Sequence, residues 1–216
     1  MTRIVAIDGP AGSGKSSVSK AAAKRLHFGY LDTGAAYRAL SWAVMQGKLA
    51  NPVEGNFDGF DYEISLDPED FWVKSFGVDV TDEIRKPEIA QNVSAVAGVQ
   101  AVRAWMKQFT REIALNSGLT GVVIEGRDIT TVVFPDAEVR ILLTASEEVR
   151  LERRAGELSP EALATLRQQV LERDAKDSAV VDFMNAAPGV TLVDTTNLNF
   201  EQSIQAVVDL VEGSTK

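Results

Sequence analysis

The amino-acid sequence predicts an α/β fold, namely a doubly wound sheet of five parallel strands with a small insert and a helical lid. Short apolar runs bounded by turn residues recur along the chain, which is typical of buried parallel strands. Segments with apolar residues at helical spacing follow most of these runs. The length of 216 residues, with 45% hydrophobic and 25% charged residues, fits a single globular domain over residues 1–216.

The first part of the chain predicts a strand, a loop and a helix, and then repeats strand and helix. Residues 3–8 form an apolar run that ends in Asp-Gly-Pro, as a buried strand does where it meets a turn. Residues 16–26 carry apolar side chains at helical spacing. A second strand at 28–31 and a helix at 35–45 follow, so we expect helices to connect parallel strands.

Residues 47–87 predict an insert outside the main sheet. Asn-Pro, Glu-Gly-Asn and Asp-Gly interrupt this region, and apolar and polar residues alternate over residues 62–66 and 76–80. Because alternation with a period of two is typical of half-exposed strands, we expect a small antiparallel sheet here.

The second half of the chain returns to helices and buried strands. Residues 88–116 predict one long helix or two in succession, because apolar residues recur at helical spacing throughout. The remaining predicted strands are 121–125, 139–143 and, less apolar, 190–193; the remaining predicted helices are 147–155, 161–176 and 200–211.

A glycine-rich phosphate-binding loop lies between the first strand and the first helix. Residues 9–16 match the motif G-x-x-x-x-G-K-[ST] in the expected setting. Its backbone N–H groups and the helix N-terminus would hold the phosphates of a nucleoside triphosphate, Lys15 would reach the β- and γ-phosphates, and Ser16 would bind Mg²⁺. The alternative is a glycine-rich turn with a surface lysine. The predicted triphosphate-binding residues are Gly9, Pro10, Ala11, Gly12, Ser13, Gly14, Lys15, Ser16 and Ser17.

Two arginines follow predicted strands and are candidates for binding a second anion. Arg38 comes after the second strand, and Arg127 comes after the strand at 121–125. Ligands of open α/β sheets bind at the carboxyl ends of the strands, so we expect both arginines to converge on one crevice. Further arginines between residues 150 and 178 predict a lid that closes over the triphosphate. Two solvated helices with ion pairs are the alternative for this segment.

Composition excludes several other classes of protein. With 22 Lys and Arg against 31 Asp and Glu, the net charge is −9, which is unfavourable for binding a nucleic-acid polymer. The absence of cysteine excludes disulfides and thiol nucleophiles. No apolar run approaches the length of a membrane span or of a signal peptide, so we expect a cytoplasmic protein. We also expect a monomer.

The chain resembles the bacterial cytidylate kinases along nearly its whole length. The matching stretches are IDGPAGSGK (7–15), LDTGAAYR (31–38), DVTDEIR (79–85), Val93-Ser94 with Val102-Arg103, EGRDITTVVFP (125–135) and RDAKDS (173–178). The resemblance implies a P-loop kinase that transfers the γ-phosphoryl group of ATP to CMP or dCMP with Mg²⁺. It also implies that residues 47–87 are a monophosphate-binding insert.

The resemblance also assigns roles to individual residues. Lys15, Arg38, Arg127 and Arg173 would be the catalytic cations. The substrate-binding residues would be Thr33, Tyr37, Arg38 and Arg127 at the monophosphate, Ser94, Arg111 and Asp128 at the cytosine, and Asp177 at the ribose.

One position departs from the family pattern. Val180 stands where these kinases usually have a further arginine that holds the monophosphate. Two alternatives therefore remain open at this point. One is a kinase of another small acceptor, such as shikimate or a different nucleotide, and the other is a nucleotide-binding regulator without catalytic activity.

Overall fold

The computed structural model describes residues 2–50, 57, 59–155, 168, 175 and 182–214. Its main sheet has five parallel strands in the order β2-β6-β1-β7-β8, which confirms the predicted α/β class. The strands are β1 (Arg3–Asp8), β2 (Gly29–Asp32), β6 (Gly121–Gly126), β7 (Val139–Thr144) and β8 (Thr191–Asp194). Because the strands are parallel, all their carboxyl ends lie at one edge.

Helices pack on both faces of the main sheet. They are α1 (Lys15–Leu26), α2 (Thr33–Met45), α3 (Pro87–Ala97), α4 (Gln100–Leu115), α5 (Glu147–Ala155) and α6 (Phe200–Gly213). Apolar side chains of α1 and α6, such as Val18 and Val207, bury one face of the sheet. The other face packs against Ala114 of α4 and against Ile129 and Val133, which belong to a short π-helix (Ile129–Val133).

A second sheet forms the described part of the insert. Strands β3 (Tyr62–Ile64), β4 (Val73–Ser75) and β5 (Val78–Asp79) are antiparallel, in the order β3-β4-β5. Apolar residues of the insert pack against α2 and α3, and Phe60 stacks on Tyr62 and contacts Trp105 of α4. The insert therefore rests on the helices that follow the strands at the sheet's carboxyl edge.

Three local features differ from the sequence prediction. The strand expected at 76–80 is shorter, because Phe76 has a left-handed backbone (φ 52°) and forms the turn between β4 and β5. Strand β4 itself was not expected, since three residues carry too little periodicity. The π-helix after β6 had no signal in the sequence. The region 88–116 holds two helices in succession, which is one of the two alternatives that the sequence predicted.

The lid predicted over residues 150–178 lies largely outside the described residues. Only its beginning, the end of α5 up to Ala155, and the isolated positions 168 and 175 are described. Among the described helices, none combines the length and the apolar composition that a membrane crossing requires.

Leu142 and Leu192 provide a test of the sheet packing, because they are register partners on β7 and β8. Leu142 is 2% exposed, whereas Leu192 is 54% exposed. Replacing Leu142 with Ala leaves a cavity and should lower the free energy of unfolding by about 2–5 kcal/mol. Leu192→Ala should change it by about 0.5 kcal/mol or less. Urea denaturation of both variants measures the difference, and equal losses would contradict the packing described.

Candidate active site

The phosphate-binding loop connects β1 to α1 at the carboxyl edge of the sheet. Gly12 and Gly14 adopt left-handed backbone angles (φ 80° and 87°), which disfavour residues with a Cβ atom. A Cβ at Gly12 would also lie 2.7 Å from the Arg150 carbonyl oxygen. Lys15 and Ser16 begin α1, so the loop ends at a helix N-terminus. This arrangement is typical of an anion-binding site.

A cavity of about 530 Å³ opens on this loop. It brings together the loop and the two strand-end arginines that the sequence analysis singled out, Arg38 and Arg127. The cavity is lined by Ala11, Gly12, Gly14, Lys15, Ser16, Ser17, Val18, Arg38, Arg127, Arg153, Arg154, Leu198, Asn199, Phe200 and Ser203. The lining therefore combines cations and loop backbone with a smaller apolar part at Leu198 and Phe200.

Glu125 is the buried acid next to the loop. The Ser16 hydroxyl donates to Glu125 Oε1 at 2.6 Å, Lys15 Nζ lies 3.9 Å from Glu125 Oε2, and the Tyr30 hydroxyl lies 3.4 Å from Oε1. Burial raises the pKa of the Glu125 carboxyl, the charge of Asp32 raises it further, and Lys15 opposes both effects. Glu125 was not among the site residues expected from the sequence, although it precedes Arg127 in a quoted motif.

Arg127 bridges the end of β6 and the beginning of the phosphate-binding loop. Its Nη1 donates to the carbonyl oxygen of Gly9. Its guanidinium lies over the ring of Phe183, 4.9 Å from the centroid. Since Phe183 is 1% exposed, this contact fixes the plane of the guanidinium against a buried side chain.

Asp32, at the end of β2, lies close to two arginines, Arg38 and Arg85. Arg38 Nη1 and Arg85 Nη2 lie 3.9 Å and 3.8 Å from Asp32 Oδ2. Its other oxygen accepts from the Ala35 N–H at 3.0 Å and so caps α2. The neighbouring Thr33 hydroxyl donates to the Glu125 carbonyl oxygen at 2.8 Å. Arg85 comes from the insert and was not singled out by the sequence analysis.

Asp128 and Arg103 form an ion pair beside Tyr37. Arg103 Nη2 donates to Asp128 Oδ2 at 2.5 Å. Burial raises the pKa of Asp128, and the charge of Arg103 opposes that shift. Burial also raises the pKa of the Tyr37 hydroxyl, with the Asp128 charge adding to the effect, so Tyr37 is neutral. Ser94 is half-buried on α3, and its carbonyl oxygen accepts from Gly98 N–H.

Arg111 does not pair with Asp128 in this structure. Arg111 Nη1 donates to the Val133 carbonyl oxygen at 2.6 Å and lies 3.4 Å from Asp136 Oδ1, with its guanidinium 4.6 Å above the Phe134 ring. Arg111 lies two turns further along α4 than Arg103, which is about 12 Å at 1.5 Å per residue. Arg103, not Arg111, is therefore the arginine that pairs with Asp128.

Two arginines of α5 support the loop from the opposite side. Arg150 Nη1 donates to the Ala11 carbonyl oxygen at 2.9 Å, and Arg150 is 5% exposed. Arg153 Nη1 donates to the Ser13 carbonyl oxygen at 2.9 Å, and its Nη2 donates to the Thr195 carbonyl oxygen at 2.8 Å. Because the two side chains donate to carbonyl oxygens of the loop, they stabilise its backbone conformation in this structure.

Three positions of the sequence analysis lie outside the described residues. They are Arg173, Asp177 and Val180, all in or next to the predicted lid.

Comparison with known proteins identifies the family. The cytidylate kinase family matches residues 5–213. A cytidylate kinase of Cutibacterium acnes is 44% identical over 214 residues, covering 96% of this chain and 95% of that protein. One of Streptomyces griseus is 43% identical over 215 residues, covering 97% and 93%. The structure of TT1252 from Thermus thermophilus has a TM-score of 0.51 at 21% identity over 100% and 99% of the two chains, a likeness of fold. The chain belongs to the cytidylate kinase family, with an α/β P-loop kinase fold.

Proposed function

We propose that the protein transfers the γ-phosphoryl group of ATP to CMP or dCMP, giving ADP and CDP or dCDP. One observation carries the proposal. The phosphate-binding loop, Lys15 and the two strand-end arginines Arg38 and Arg127 line one cavity. Asp128, the residue after Arg127, forms an ion pair with Arg103. The family of the chain supports the same reaction.

The donor triphosphate binds at the loop. Backbone N–H groups turned inward by Gly12 and Gly14 hold its phosphates, and Lys15 reaches the β- and γ-phosphates. The apolar lining residues Leu198 and Phe200 are the proposed contacts for the purine and ribose of ATP. Arg150 and Arg153 keep the loop in shape by binding its carbonyl oxygens, which leaves its amides available for the anion.

The residues next to Lys15 fit a magnesium ion. Ser16 and Glu125 present a hydroxyl and a carboxylate, and such oxygen donors are the ligands that Mg²⁺ prefers. Within the described residues no cluster of three or more His, Asp and Glu could hold a metal, but Mg²⁺ usually needs only one or two protein ligands besides phosphate and water. Ser16 would bind the ion, with Glu125 beside it. When bound, Mg²⁺ neutralises charge on the phosphate oxygens.

Arg38 and Arg127 hold the phosphate of the acceptor. Two polyanions must approach each other for phosphoryl transfer, so several guanidinium groups are needed to offset their repulsion. The acceptor phosphate has a second pKa of about 6 and is mostly ionised at neutral pH, so no general base is required. The work of the protein is alignment, charge neutralisation and exclusion of water.

Asp128 and Arg103 select cytosine. Asp128 accepts from the exocyclic amino group, and Arg103 donates to the ring nitrogen and carbonyl oxygen of the base. Uracil has a carbonyl group in place of the amino group, so UMP would place two acceptors face to face. Thr33, Tyr37 and Ser94 complete the acceptor site in this proposal, and the insert over residues 47–87 belongs to the monophosphate-binding part of that site. Arg173 and Asp177 keep their proposed roles at the lid and at the ribose.

The net charge of −9 supports the further proposal that no nucleic-acid polymer is a partner, since binding here is confined to a local group of cations. We keep the prediction of a cytoplasmic monomer as part of this proposal.

Lys15→Ala should lower kcat by about 10² or more, because it removes a charge that neutralises the transferring group. The measurement is a coupled ADP-release assay with ATP and CMP. Lys24→Ala is the matched control on the same helix, since Lys24 is 63% exposed and pairs with Glu69 at the surface. The control should stay within about twofold of the wild type. A Lys15→Ala variant with wild-type turnover would contradict the donor site.

Arg103→Met should lower the ratio of kcat/KM for CMP over UMP by roughly 10- to 100-fold, because a charged hydrogen bond to the base is lost. Arg111→Met is the matched control on the same helix and should leave this ratio within about threefold of the wild type. Steady-state assays across CMP, dCMP, UMP, AMP and GMP, with shikimate as a further acceptor, measure it. Equal wild-type rates on CMP and UMP would refute the proposed hydrogen bonds of Asp128 and Arg103 to cytosine, but not the kinase activity. Binding of ATP and CMP without any product would favour the regulator instead.

A further inference from the structure

Asp8 is a buried carboxylate that the proposed reaction does not use. It ends β1, immediately before the phosphate-binding loop, and is 2% exposed. Its Oδ1 accepts from the Ile129 N–H at 2.9 Å. Its Oδ2 accepts from the Thr130 N–H at 2.8 Å and from the Thr130 hydroxyl at 2.6 Å. The side chain of one strand end therefore binds the turn that follows another strand.

Three hydrogen-bond donors and a nearby cation oppose the cost of burying this carboxylate. Burial raises the pKa of Asp8, while the hydrogen bonds from Thr130 and Ile129 and the charge of Lys15 oppose that shift. A buried carboxylate without such bonds is strongly unfavourable. The arrangement is favourable only with the donors of residues 129 and 130 aligned on the two oxygens, so Asp8 imposes one conformation on this turn.

The turn held by Asp8 directly follows two of the residues assigned to the acceptor. Arg127 and Asp128 directly precede Ile129, and the Asp128 carbonyl oxygen accepts from Val132 N–H and Val133 N–H at 2.8 Å and 3.0 Å. Asp8 thus fixes the amides at the start of the π-helix, and the carbonyl of Asp128 fixes the same turn from its other end.

The residue after Asp8 makes a second contact with the segment that follows β6. The carbonyl oxygen of Gly9, the residue after Asp8, accepts from Arg127 Nη1. Residues 8 and 9 therefore bind a backbone turn and a guanidinium of the acceptor side while they form the entry of the donor loop. The positions of donor loop and acceptor turn are coupled through these two adjacent residues.

We propose that Asp8 is a positioning residue, which holds Arg127 and Asp128 in register with the phosphate-binding loop and on which CMP affinity and base selectivity depend. This inference rests on the proposed phosphorylation of CMP. It assigns Asp8 no contact with either nucleotide, because its two oxygens are occupied by Ile129 and Thr130.

Asp8→Asn is the direct test. Whichever way the amide is turned, its NH₂ group faces a backbone N–H where a carboxylate oxygen accepted before, so the turn must shift. A misplacement of about 1 Å costs up to 10²-fold in catalysis, so we expect KM for CMP to rise about tenfold or more and the CMP-over-UMP ratio to fall similarly. The affinity for ATP alone, measured by calorimetry, should change by about threefold or less, because the loop amides and Lys15 remain.

Thr130 offers a milder test that does not depend on the folding of the Asp8 variant. Thr130→Val removes only the hydroxyl donor and should change CMP affinity and selectivity in the same direction by a smaller factor. Thr130→Ser keeps the donor and should restore both toward the wild type. Val207→Ala is the stability control, since it weakens the core between α6 and the sheet, remote from the turn, and should lower Tm without changing the CMP-over-UMP ratio.

Each result decides the proposal. It is upheld if Asp8→Asn and Thr130→Val weaken CMP binding and selectivity while ATP binding persists and Val207→Ala changes neither. It is overturned if the variants lose only thermal stability, if ATP and CMP affinities fall together, or if Thr130→Val and Thr130→Ser behave alike. A wild-type chain that phosphorylates no nucleotide overturns the proposed function instead, and unchanged CMP affinity in an active Asp8→Asn variant overturns the positioning role alone.

Discussion

Three neighbouring strands of the main sheet each place a buried carboxylate at or beside their carboxyl end. Removing a carboxylate from water is unfavourable, and cations and hydrogen-bond donors of the site offset this cost by pairing with the three carboxylates. Asp8 of β1, Asp32 of β2 and Glu125 of β6 are 2%, 3% and 3% exposed. Buried carboxylates must be paired or hydrogen-bonded. Asp8 takes two amides and a hydroxyl, Asp32 faces two arginines, and Glu125 faces Lys15 and Ser16.

This requirement explains how an acidic chain presents cations to a polyanion. The carboxylates hold Lys15 and Arg38 in the lining of the cavity, and Asp32 also pairs with Arg85, so less side-chain freedom is lost when a polyanion binds. Local charge placement matters more than the net charge of −9, because buried and partly buried charges are screened less than distant surface charges. The arginines of α5 add to this by binding carbonyl oxygens of the loop.

The Arg103–Asp128 ion pair could not be assigned from the sequence pattern. Arg103 and Arg111 both lie on α4. The quoted pattern contains Val102-Arg103, but nothing in it marks Arg103 rather than Arg111 as the partner of Asp128. The partner depends on where α4 crosses the turn after β6. That crossing places Arg103 on Asp128 and leaves Arg111 over Phe134.

The sequence alone determined the phosphate-binding loop, the alternation of strands and helices in the main sheet, and the position of Arg38 and Arg127 after strands. These depend on local composition and on the rule that parallel strands share one carboxyl edge. Only the tertiary structure decided the contacts of Asp8 with residues 129 and 130, of Arg150 with Ala11 and of Arg103 with Asp128. Such pairs join segments far apart in the chain, and no periodicity records which distant donor reaches a given acceptor.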